Sequence, residues 1–196
     1  VFRGIAAGHF TRPSLAGLHS CSYVGAIQTK PQRPTLAEAL EAAGYTCIGL
    51  TTNPQAYAGF NFGAGYSVYE NFVDPGTRGS KLREFLARFQ IVQRVYQRLY
   101  PIHERRSDRP SDREVVERAT EAFNDAEPPR FLWVHLMDSH RPYGLGAEGI
   151  SPALSRKAKF SPGRVTEAER SEIESKYVAA LGQVDANVEH LLDGLD

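Results

Sequence analysis

Cysteine is scarce in this chain, with two in 196 residues, and there is one methionine and one tryptophan. Cys21 and Cys47 have no CxxC companion and no nearby histidine at metal-ligand spacing, which excludes a disulfide-dense scaffold and a thiolate metal centre. A single bridge between them and two separate thiols both fit, burial as small apolar groups being the commoner state. Charge of one sign is missing too: 23 Lys and Arg balance 23 Asp and Glu, so no global field draws the chain to nucleic acid or to a membrane surface. No apolar run approaches the roughly 20 residues that span a bilayer. The opening "VFRGIAAGHF" has neither an initiating Met nor the layout of a signal peptide, which favours a soluble, cytoplasmic setting. With "LLDGLD" reading as the last turn of a helix, the chain is expected to be a piece of a longer protein. Its length suits one partial domain over residues 1–196.

What is present is a mixture of 41% hydrophobic and 23% charged residues, enough to bury a sizeable core. Three segments carry a capping box, in which a hydroxyl residue and a Glu three positions on satisfy each other's backbone N–H groups. They are Thr35 with Glu38, Ser111 with Glu114, and Thr166 with Glu169. Gly44 supplies the left-handed stop of the first helix. In the last helix Ile173, Tyr177, Leu181, Val184, Val188, Leu191 and Leu195 recur at helical spacing and predict one buried stripe. A further helix is predicted between Lys81 and Tyr100. "YTCIGLT" (Tyr45 to Thr51) and "RFLWVHLM" (Arg130 to Met137) are short and almost continuously apolar, as strands buried on both faces of a parallel sheet are. A short strand is expected around Val68, and "AEGISPALSRKAKFSPGR" reads as a polar connection. Helices alternating with such strands predict an α/β fold, doubly wound, with a mostly parallel sheet and helices on both faces.

In that architecture ligands bind beyond the carboxyl ends of the strands. Three segments arrive there: the helix start at Thr11, the turn "TTNP" after Leu50, and "MDSHRPY" after the strand ending near Met137. Pro13 suits a first helical turn, where its missing N–H costs nothing. Thr11 then falls at or just before the N-cap and Ser14 in the first turn. The positive end of the helix dipole there favours an anionic oxygen. Plain N-capping is the structural alternative. His140 and Arg141 can donate to an anion, although a polar turn leaving the sheet accounts for them equally. His135, inside a strand, reads as a core histidine, and Asn53 as a turn former before Pro54.

Taken together these segments resemble the sulfatase family of the alkaline-phosphatase superfamily. "TRPS" (Thr11 to Ser14) stands where that family has its C/S/T-x-P-S nucleophile motif. "PTLAEALEAAGYTCIGL", "GFNFGAGYSVYENF", "RFLWVHLMDSHRPY" and "YVAALGQVDANVEHLLDGL" follow in the family's order across almost the whole chain. The resemblance implies a catalytic α/β domain, here incomplete, that works with one or two divalent metal ions (Ca, Mg, Mn or Zn) on a small anionic ester. It implies Thr11 as nucleophile and as the metal-contacting candidate of this chain, the other ligands lying outside it, so that the chain alone turns over little. His140 matches the histidine of the "HxPY" element, which contacts the anionic group or leaving group. His135, Ser14, Arg141 and Asn53 are further substrate-contact candidates, and Asp185 matches a structural Asp of the long helix. Two departures matter. Thr11 is not served by the oxidation that converts Cys or Ser to formylglycine, and Leu15 replaces the Arg that follows C/S-x-P-S. A Thr nucleophile is the habit of phosphodiesterase and phosphotransferase relatives, which keeps that chemistry as an alternative to sulfate-ester hydrolysis, alongside a catalytically inactive binding protein.

One rival comes from charge alone. Arg78, Lys81, Arg83, Arg88, Arg94, Arg98, Arg105, Arg106 and Arg109 make the middle of the chain locally basic, as a nucleic-acid face would be. No nucleic-acid motif accompanies them, and the solvated side of an amphipathic helix explains them as well. No nucleic-acid partner is expected, and the sequence does not fix an oligomeric state.

Overall fold

The computed structural model describes residues 6–8, 10–22, 30–72, 110–143 and 149–195. The predicted helix between Lys81 and Tyr100, with the basic stretch around it, lies outside them. The elements in chain order are α1 (Thr11–His19), α2 (Leu36–Ala42), β1 (Thr46–Thr51), β2 (Val68–Asn71), α3 (Asp112–Asn124), β3 (Arg130–His135), α4 (Pro152–Phe160) and α5 (Glu167–Gly194). They belong to two compact units, one made of Val1–Asp74, Arg113–Leu136 and His190–Asp196, the other of Pro75–Asp112 and Met137–Glu189. No helix among the described residues is long and apolar enough to cross a membrane.

The first unit holds a three-stranded parallel sheet in the order β2-β1-β3. Its two faces differ because side chains alternate along each strand. Ile48 and Leu50 share one face with Val68, Leu132 and Val134, and pack against Val115 and Ala119 of α3 and against Leu191. On the other face Gly49 lies in register between Tyr69 and Trp133. A Cβ on Gly49 would meet the Tyr69 ring at 2.9 Å and Tyr66 at 3.0 Å, so only glycine leaves room for the rings. Tyr69 and Trp133 stand parallel there, centroids 6.2 Å apart. Leu15 and Ala16 of α1 pack against that aromatic face with Phe62. Helices therefore cover both faces, and the α/β, doubly wound reading of the sequence holds. Each of Ile48, Leu50 and Val115 is fully buried, which stabilises by about 1.5–3 kcal/mol per side chain.

The local signals of the sequence are realised at several points. Thr35 and Glu38 form both bonds of their capping box, and Gly44 ends the segment at φ +88°. Both cysteines are free, Cys21 exposed and Cys47 buried, and burial raises the Cys47 thiol above its usual pKa.

In the second unit, Thr166 and Glu169 make the reciprocal bonds at the start of α5. The Lys157 ammonium reaches the Glu169 carboxylate at 2.6 Å, tying α4 to α5. Two sequence expectations need correction. The polar connection contains α4, started by the Ser151 hydroxyl accepting from the Leu154 N–H at 3.1 Å and by Pro152 in the first turn. The apolar stripe of α5 is not buried as one strip. Tyr177, Leu181 and Val188 are 43%, 42% and 39% exposed, and the buried positions are Ala180 and Asn187. Ile173, Val184, Leu191 and Leu195 of the stripe are half-buried.

Candidate active site

The carboxyl ends of the three strands form one polar row, because Thr51 is in register with both Asn71 and His135. Asn53, two residues past β1 and only 2% exposed, is bonded to all three. Its N–H donates to Thr51 Oγ1 at 3.0 Å and its carbonyl accepts from Asn71 Nδ2 at 3.0 Å. Its side-chain Nδ2 lies 3.1 Å from His135 Nε2. Its Oδ1 accepts the Gln55 N–H at 2.9 Å, which closes an Asx turn ahead of the loop. With the amide as donor, His135 Nε2 is the acceptor and the ring is a neutral tautomer protonated at Nδ1. Asn53 thus both makes the turn and orients the histidine.

Behind this row stands a histidine that sequence reasoning missed. His19, in the last turn of α1, is 3% exposed and meets Trp133 edge-on at 4.6 Å and Phe62 at 5.3 Å. Its Nε2 has no hydrogen-bond partner among the described residues. Burial, and secondarily His135, pushes its pKa down to about 4, so it is neutral at neutral pH. The signal available in the sequence was its spacing from Leu15, which places it one turn further along the same buried side of α1.

Thr11 is the first residue of α1, one position further in than the sequence suggested. The N-cap is Phe10, whose side chain makes no capping bond. The first internal bond runs from the Ser14 N–H to the Phe10 carbonyl at 3.2 Å. Because Pro13 has no N–H, the first helical turn offers the Thr11 and Arg12 N–H groups outside its own ladder. Thr11 and Ser14 are both half-buried. Such an end carries partial positive charge, and its first turn holds no acidic residue and no side-chain cap.

In the second unit, the turn after β3 is organised by Asp112, another residue that the sequence did not single out. Its buried carboxylate accepts the N–H of Met137 at 2.8 Å and that of Asp138 at 2.7 Å. The His140 N–H donates to the Met137 carbonyl at 2.9 Å, and the Tyr143 N–H to the His140 carbonyl at 2.9 Å. His140 is exposed. Its Nδ1 donates to the Arg141 carbonyl at 2.8 Å, which directs Nε2 away from the turn. Arg141 is half-buried, with Nη1 3.5 Å from the Ser155 carbonyl. Tyr143 meets Tyr177 edge-on at 5.3 Å. Asp185, on α5, is exposed.

The predicted residues therefore gather as three small groups: Thr11 with Ser14 on α1, Asn53 with His135 at the sheet edge, and His140 with Arg141 in the turn after β3. No group of three or more His, Cys, Asp or Glu side chains among the described residues could hold a metal ion. The described donor set does not fit such a centre.

Compared with curated proteins and with solved structures, the chain finds no match. The family model described as Sulfatase matches residues 2–196. With helices on both faces of a parallel sheet and polar side chains along its carboxyl edge, this chain belongs to the sulfatase family, the sulfatase-like hydrolases of the alkaline-phosphatase superfamily.

Proposed function

We propose that Thr11 is the nucleophile of a hydrolase acting on small sulfate or phosphate esters. The observation that carries this reading is the position of Thr11 at the start of a helix whose N-cap, Phe10, supplies no capping side chain. A hydroxyl held there is spared from capping, and the adjacent N–H groups and helix dipole favour the anionic group it would attack. In the reaction Thr11 Oγ1 bonds to sulfur or phosphorus as the ester oxygen leaves with the bonding pair, and the Thr11 proton passes to solvent water. A second water then attacks the sulfur or phosphorus, Thr11 Oγ1 leaving with the bonding pair and regaining a proton as sulfate or phosphate is freed. His140 is suited to the leaving group: with Nδ1 committed to the Arg141 carbonyl, its imidazolium form presents Nε2–H to a departing oxygen. Ser14 and Arg141 are proposed anion contacts, and Asn53 serves by holding His135. Members of the sulfatase family generally use divalent metal ions.

The test is Thr11→Ala in the whole protein, assayed with aryl sulfate, aryl phosphodiester and aryl phosphonate esters. Loss of about a thousandfold or more in kcat with little change in KM is expected for a missing nucleophile. Unchanged turnover on the best of the three esters would remove Thr11 from the chemistry. A wild type that binds the ester without turning it over would identify a binding protein of this fold.

A further inference from the structure

Arg12 follows Thr11 on α1, and its guanidinium carbon lies 4.6 Å above the centre of the Phe60 ring. Its Nε is buried with no hydrogen-bond partner, and no carboxylate pairs with it, among the described residues. Arg12 as a whole is half-buried, so its charge gives up part of its hydration, which the ring's quadrupole partly replaces. Burial lowers its pKa, yet a guanidinium stays charged. The ring under it is firmly held: Tyr57 meets Phe60 edge-on at 5.6 Å, and Phe60 packs against the Leu15, Ala16, Ala56 and Phe62 cluster. A second cation, the Lys30 ammonium, lies 5.5 Å from the same ring centre.

We propose that Arg12, seated on Phe60, is a specificity-determining residue that binds a second oxyanion of the substrate, a carboxylate, sulfate or phosphate carried on the alcohol side of the ester. The proposal rests on the reading of Thr11 as the nucleophile, because adjacency to Thr11 is what makes Arg12 part of a substrate site. A guanidinium over a ring keeps its N–H donors around its edge, where two of them can take one oxyanion together.

Two non-hydrolysable probes separate the charges: benzenesulfonate, which carries the reacting-group mimic alone, and 4-sulfobenzoate, which adds a carboxylate. Titrated into the whole protein and followed by NMR, 4-sulfobenzoate is expected to bind about tenfold more tightly than benzenesulfonate, as one charge-assisted bidentate contact provides. Arg12→Met keeps an apolar stem over Phe60 and should bring that ratio to about one. Arg12→Lys should restore part of it. Lys159→Met, which removes a cation over Phe160 instead, should leave it unchanged. Equal binding of the two probes by the wild type, or a ratio that survives Arg12→Met, overturns the proposal and leaves the Thr11 reading standing. A fall in the melting temperature of Arg12→Met with the ratio intact marks Arg12 as a structural latch, which also overturns it. Failure of the wild type to bind either sulfonate overturns this proposal, while the Thr11 reading stands or falls separately on the Thr11→Ala turnover assay.

Discussion

The turns that follow β1 and β3 both leave the carboxyl end of a strand, and they are held in opposite ways. The first is organised from within. Asn53 closes its own Asx turn and reaches all three strand ends, and it is buried while doing so. The second is organised from outside, by a carboxylate 25 positions earlier in the chain that collects the Met137 and Asp138 N–H groups. As a result Asn53 spends its side-chain amide on the protein, while the second turn leaves His140 exposed with one ring nitrogen directed outward. A buried, fully used side chain positions others, and an exposed, half-used one is available to a ligand. Sequence motifs alone do not make that distinction, since Asn53 and His140 both sit in polar turns after apolar strands.

The largest effect that breaks the comparison is expected at Asp112. Asp112→Ala orphans two buried N–H groups and should cost about 4 kcal/mol, counting about 2 kcal/mol for each, measured by urea unfolding with circular dichroism. Asn53 should show the smaller loss of a turn that retains its backbone bonds. Between them falls the histidine behind the sheet edge. His19 has a folded pKa of about 4 against an ordinary 6.5. The unfolded chain therefore takes up a proton first as pH falls. Stability is at its full value above pH 6.5, declines as pH drops from 6.5 to about 4, and levels off below. The loss is about 3 kcal/mol, and His19→Phe, which keeps an aromatic ring against Trp133, should flatten that window in melting curves recorded across it.

Asn53→Ala removes the bonds to Gln55 and His135 and is expected to cost about 2 kcal/mol. Asn53→Asp tests the orientation more sharply. It keeps an acceptor for the Gln55 N–H, but places a carboxylate against His135 Nε2 and should raise that histidine's pKa, as read by NMR titration. The smallest effect on stability belongs to His140→Ala, under about 0.5 kcal/mol for an exposed side chain. If Asn53→Ala proved as harmless to stability as His140→Ala, the contrast between the two turns would collapse.

Much of this was legible before any geometry. Thr35 with Glu38, and Thr166 with Glu169, announce their helix starts because a capping box is a contact over three residues. The strands at Thr46–Thr51 and Arg130–His135 follow from almost continuous apolar character. The role of Asp112 was hidden because its partners are backbone groups 25 and 26 positions away, and a backbone N–H has no letter in a sequence. The helix Pro152–Phe160 was hidden for another reason: it buries only Leu154 and Ser155, too little to make a periodic pattern. The stripe on α5 was correct in period and correct in part as to burial: Ile173, Val184, Leu191 and Leu195 are half-buried, whereas Tyr177, Leu181 and Val188 stay exposed, because period is local and burial depends on which neighbour the helix meets. At the site, the pairing of Asn53 with His135 joins two residues that were named separately, and Arg12 passed unnoticed between the two hydroxyls of "TRPS".

The aromatic face over Gly49 has an optical consequence. Trp133 is the chain's one tryptophan, and it belongs to the first of the two compact units, pressed between His19 and Tyr69. Its emission therefore follows the packing of that unit alone, whereas far-ultraviolet circular dichroism follows helices in both. Denaturation recorded by the two signals together measures how cooperatively the units unfold: coincident midpoints mean one transition, and separated midpoints mean two.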